Sequence, residues 1–158
     1  MIRYKQLVTY KVINKETGEI MGNILDVIYS EDLKKVNYLV VKSKNLIKNK
    51  APISYEDIQL LENHQALYLK DSKIFRKKLE EDINEGFKYI DKEIRNEDGE
   101  CIGYVKDVVI NKLDGLIEGF IITEGVFEDL FKGRNYMPLF ENTIIEEDCI
   151  FISNKDLN

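Results

Sequence analysis

Two aspartates, two cysteines and one histidine stand out in this sequence as residues whose types could do chemistry. Asp26 and Asp107 lie 81 positions apart, and two carboxylates brought together could share a proton and divide acid and base work. They recur at matching points of two similar segments, so nothing requires them to meet. An Asp at a chain bend accepts amide protons that a bulge leaves unpaired, and this capping role is the one expected of both. His64 sits in the polar run Glu62-Asn63-His64-Gln65 with no partner placed to complete a metal set, so it reads as an exposed loop residue. Cys101 and Cys149 lack C-x-x-C spacing and are too few for a disulfide framework; they read as small buried apolar side chains. No GxSxG, P-loop or HExxH motif is present. The expectation is a protein that is not an enzyme and takes neither cofactor nor metal.

Two loops offer binding chemistry instead. Lys42, Lys44, Lys48 and Lys50 frame the run KSKNLIKNK without an acid among them. They could meet RNA phosphates or an anionic lipid surface, or form a solvated hairpin tip that protects a barrel rim. In EGVFEDLFKGR, the residues Val126, Phe127, Leu130 and Phe131 fall on one side of a short helix. That apolar side either plugs its own barrel or anchors a partner or a second subunit.

The elements that position these residues come in two sets. Shifting the chain by 81 positions lays KVINKETGEIMGNILDVIYS, from Lys11, without a gap over KEIRNEDGECIGYVKDVVIN, from Lys92. Gly18, Gly22 and Asp26 recur as Gly99, Gly103 and Asp107. Apolar Leu39-Val40-Val41 returns as Phe120-Ile121-Ile122, Ala51-Pro52-Ile53 as Met137-Pro138-Leu139, and Ala66 to Leu69 as Cys149 to Ile152. Each copy reads as strands: a turn with Gly at its tip, a strand that changes phase near Leu25-Asp26 as a bulge would make it, and a β-branched run. Pro52 and Pro138 then open a strand or turn at an edge. Between the copies, Phe75, Leu79 and Ile83 share one face of a helix over residues 71–86, with Ser72 as N-cap and Gly86 as its left-handed end. The organisation expected is mostly β: a first barrel over residues 1–70, a helical linker over 71–86 and a second barrel over 87–158, arranged as a semi-rigid rod.

Composition agrees with folded rather than disordered protein, at 44% hydrophobic and 33% charged residues. The start carries no apolar stretch before a cleavage site, and no run approaches the roughly 20 apolar residues of a bilayer span, so a cytoplasmic location is expected. The net charge of -6 weighs against a general nucleic-acid binder. It is unevenly spread: residues 1–73 hold 12 Lys+Arg against 9 Asp+Glu, whereas residues 74–158 hold 11 against 20.

The turn Asp/Thr-Gly-Glu, a Gly three residues later, an Asp four residues on, and a lone Pro at a further strand resemble the PRC-barrel family, and both copies carry the pattern. The family includes the cytoplasmic domain of the photosynthetic reaction centre H subunit and resembles the C-terminal domain of the ribosome-maturation factor RimM. The resemblance implies two small barrels of five or six strands in tandem. It makes Gly18, Gly22, Asp26, Pro52, Gly99, Gly103, Asp107 and Pro138 fold positions without a catalytic role. It implies protein docking in assembly, RNA metabolism or membrane-associated complexes, and similar members occur in sporulating Gram-positive bacteria. The function expected is a protein-interaction adaptor, engaging another protein or a second copy of itself. The alternative is an RNA- or ribosome-associated maturation factor; a small-molecule barrel has little support, because barrels this size are filled by their own side chains.

Overall fold

A computed structural model describes residues 1–43, 50–61, 63–70, 86–123 and 135–157. The architecture is mostly β. After β1 (Ile2–Arg3) and the one-turn helix α1 (Tyr4–Leu7), the first copy runs through β2 (Lys11–Asn14), β3 (Ile20–Tyr29), β4 (Val36–Lys42), β5 (Lys50–Ser54), β6 (Ile58–Leu60) and β7 (Ala66–Leu69). The second runs through β8 (Glu93–Arg95), β9 (Cys101–Ile110), β10 (Ile117–Ile122), β11 (Tyr136–Pro138), β12 (Ile144–Ile145) and β13 (Cys149–Phe151). Each set forms a curled sheet, ordered β5-β4-β3-β2-β7-β6 in one and β11-β10-β9-β8-β13-β12 in the other. The opening and closing strands of each repeat, β2 with β7 and β8 with β13, pair in parallel. In the first sheet the two edge strands β5 and β6 follow one another in the chain through a single turn at Tyr55–Asp57, so the sheet curls back toward itself.

Curvature comes from bulges that repeat with the sequence. Register slips at Leu25 in β3 and at Lys106 in β9, and again at Asn37 in β4 and Glu118 in β10. An extra residue on one strand bends it and raises its twist, which a small barrel needs. Between the slips alternation holds, with Val12, Ile24, Val27, Leu39, Ile53 and Leu67 buried in one sheet and Ile94, Val105, Val108, Phe120, Met137 and Ile150 in the other.

Two details of the repeat differ from the ungapped reading. The hairpin of the first copy is one residue longer: Asn14 and Gly18 close it, while Asn96 and Gly99 close the second, each Gly donating to the Asn carbonyl. Val12, which faces Gly22, therefore matches Ile94, which faces Gly103. Nor are the prolines equivalent. Leu39 pairs with Ile53 and Phe120 with Met137, so Pro52 matches Tyr136. Pro52 lies inside edge strand β5, while Pro138 ends edge strand β11; at an edge a missing N–H costs little.

The expected rod of separately packed barrels is replaced by a joined body. The buried apolar residues form one cluster through both copies. Lys35 bridges to Leu116, its own counterpart 81 positions on, and around them Val36 N donates to Gly115 O and Ile117 N to Lys34 O, both at 2.9 Å. A contact in which residue i meets j' while j meets i' is the mark of a two-fold axis. The chain also crosses over: β1 pairs with β9 of the second sheet, and Phe87 and Tyr89 of the second copy stack edge-on against Tyr29 of the first at 5.8 and 4.9 Å. The linker expected over 71–86 lies outside the described residues but for Gly86, whose φ is +90°.

Candidate functional site

Alternation decides which side chains face outward, and register decides which are neighbours. On the first barrel Lys11 lies opposite Asn23, Asn23 opposite Lys42, and Lys42 opposite Lys50. All four are exposed. They form one row across the wall, about 14 Å from end to end at the usual strand spacing. Two residues further along β2, Ile13 lies between Tyr68 of β7 and Ile20 of β3. Ile20 is 56% exposed and its two neighbours are half-buried. A cationic row thus lies beside an apolar one. Among the described residues none of these three lysines has an ion-pair partner. Like charges directly opposite on adjacent strands destabilise a sheet, so sheet stability does not account for Lys42 facing Lys50.

The second barrel carries other chemistry on the same frame. Glu93 faces Tyr104, and Tyr104 meets Thr123 through two hydrogen bonds; among the described residues of this row there is no lysine. Arg95, with Cys101 and Phe151 beside it, takes the places of Ile13, Ile20 and Tyr68. Arg95 pairs with Glu93 at 2.9 Å, and that hydrogen bond holds the Glu93 carboxyl below the usual range. Cys101 is exposed, contrary to the expectation of a buried thiol; it lies at the start of β9, where its side chain faces outward. Cys149 is buried, and burial pushes its thiol up, away from the reactive thiolate.

Nothing in the sequence requires Asp26 and Asp107 to meet, and in the fold adjacent residues of α1, Tyr4 and Lys5, bond to one carboxylate each. Asp26 Oδ1 accepts Tyr4 O–H and Val27 N–H, each at 2.8 Å. Asp107 Oδ1 accepts Lys5 N–H at 3.1 Å and Val108 N–H at 2.9 Å. Both carboxylates sit one residue past a bulge and bind the next amide, which is cap geometry. The remaining donors come from a segment outside the repeat signal, because Tyr4 and Lys5 match Gly86 and Phe87 in the register ahead of the hairpins. Burial, and then the bond to Asp26, pushes the Tyr4 phenol well up.

The other expected positions separate cleanly. Gly18 and Gly99 hold left-handed turn positions, at φ +73° and +78°. A methyl at Gly22 would run into Lys42 O, whereas at Gly103 it would stand 3.3 Å from Thr123 O. His64 is exposed in the turn before β7. Lys44, Lys48, Val126, Phe127, Leu130 and Phe131 lie outside the described residues. No helix among the described residues is long and apolar enough to cross a membrane.

Known proteins bear on this geometry at two points. The family model for the PRC-barrel domain matches the chain twice, over residues 1–79 and 81–156. An uncharacterized protein of Methanocaldococcus jannaschii is 29% identical over 134 residues, spanning 85% of this chain and 94% of its own length.

Proposed function

Because the chain belongs to the PRC-barrel domain family and carries two copies of its domain, we propose that it is a non-enzymatic cytoplasmic adaptor whose joined barrels hold two protein partners in a fixed relation. One observation carries this reading: the same three outward positions are Lys11-Asn23-Lys42 on one barrel and Glu93-Tyr104-Thr123 on the other. Faces alike in shape but unlike in charge select different partners. Interiors filled with aliphatic and aromatic side chains support a role for outer faces rather than for a bound small molecule.

The lysine row favours a second reading, an RNA- or ribosome-associated maturation factor. Crosslinking in native cells followed by pull-down separates the two. The adaptor reading expects proteins that crosslink to each barrel and stay bound after nuclease treatment. Recovery of RNA alone, with binding that collapses between low and physiological salt, would sink it in favour of the second reading.

A further inference from the structure

The first barrel offers two adjacent rows of unlike character, and their dimensions narrow what can lie on them. The cationic row is about 14 Å long, which is about nine residues of helix at 1.5 Å each. The apolar row Tyr68-Ile13-Ile20, on β7, β2 and β3, lies two residues or about 7 Å away, so the two rows overlap on β2 and β3 and together span five strands, about 19 Å or about 13 residues of helix. A helix lying along both rows would set one edge on the lysines and the adjoining face on the apolar residues. The open edge of β5 is a poor alternative, since Pro52 interrupts its row of donors.

We infer that this face docks an acidic amphipathic helix of a partner protein, carboxylates on Lys11, Lys42 and Lys50, apolar side chains on Ile13, Ile20 and Tyr68. The inference rests on the adaptor reading and names the partner of one of its faces. Lipid fits less well, because Ile13 and Tyr68 are half-buried in a curved wall and lack the reach of a tip that enters an acyl layer. RNA fits less well too. The cationic row has no arginine to fork a phosphate and no ring to stack on a base. The described positions of the same frame on the second barrel, Glu93, Tyr104 and Thr123, hold no lysine and serve as a built-in control.

The test uses the full chain and fluorescence anisotropy, with a labelled helical peptide bearing a Glu stripe beside a Leu stripe. Oligouridylate and phosphatidylserine vesicles form the other arms. The peptide should bind. Lys42→Glu with Lys50→Glu, and separately Ile20→Lys, should each weaken it by at least about tenfold, while Thr123→Lys on the second barrel leaves it unchanged. Lys50→Glu alone should raise the melting temperature slightly while weakening binding, since it sets a carboxylate opposite Lys42. A peptide that does not bind, or binds every variant equally, overturns the inference, as does tighter binding of oligouridylate or vesicles through the same lysines. If crosslinked proteins are still recovered while these variants change nothing, the adaptor reading stands and this face is not its site.

Discussion

At the scale of single residues, the strongest electrostatic signature belongs to phenols. Burial pushes Tyr29, Tyr55 and Tyr89 well above the ordinary tyrosine range, and Tyr4 rises with them through burial and its bond to Asp26. A group whose folded pKa is raised contributes stability that is complete below its unfolded value, about 10 for tyrosine, and is lost as pH rises through the folded value. Stability should therefore be level up to about pH 9.5 and fall steeply beyond 10. Absorbance near 295 nm should show these four of the nine tyrosines ionising together with loss of the far-UV signal. Reversible ionisation of all nine while the fold persists would contradict the burial described. The sequence marked Asp26 and Asp107 as caps because a bulge was readable from the phase change at Leu25. It could not mark Tyr4 or Lys5 as their partners, since those bonds depend on a segment crossing to the other copy.

At the scale of elements, the matched glycines of β3 and β9 make a graded test. Gly22 sits where Lys42 O crowds the position of a methyl and Val41 Cγ1 stands 3.0 Å away, whereas Gly103 has its nearest neighbour at 3.3 Å. Gly22→Ala should cost about 1–3 kcal/mol by forcing β3 and β4 apart, and Gly103→Ala clearly less; thermal melts of the two variants check the order. An equal loss would show that the repeats are more alike in backbone than their register indicates. Strand content, bulges and turn glycines were legible because each leaves a local mark at a constant offset. The hairpin offset was not. Lys11 over Lys92 and Ile13 over Ile94 look right in letters, and only the pairing of Val12 with Gly22 and Ile94 with Gly103 reveals the extra residue. The prolines misled likewise, because identity of residue type outweighed the register of β5 and β11.

At the scale of the molecule, the joint between copies is what the repeat comparison could not supply. In the register that holds ahead of the hairpins, Phe87 and Tyr89 have Lys5 and Leu7 as their counterparts, so the aromatic contact with Tyr29 leaves no repeated trace. Together with the crossing of β1 onto β9, it predicts that the two copies unfold as one cooperative unit. A protease site placed within residues 71–85 and cut in the folded protein should leave both pieces co-eluting on gel filtration, and calorimetry of the intact chain should give one transition whose van't Hoff and calorimetric enthalpies agree. Pieces that part on cutting, or two resolved transitions, would return the molecule to independent barrels.

Lys35 meeting Leu116 has a consequence for how the two faces came to differ. A lone barrel docking onto its own twin must set each residue on the axis against a copy of itself, so a lysine there would confront a lysine. Carrying both partners in one chain lifts that obligation, and a lysine can pair through its backbone with a leucine. The same release applies to every outward position, which lets one half accumulate bases and the other acids while the frame beneath them stays the same.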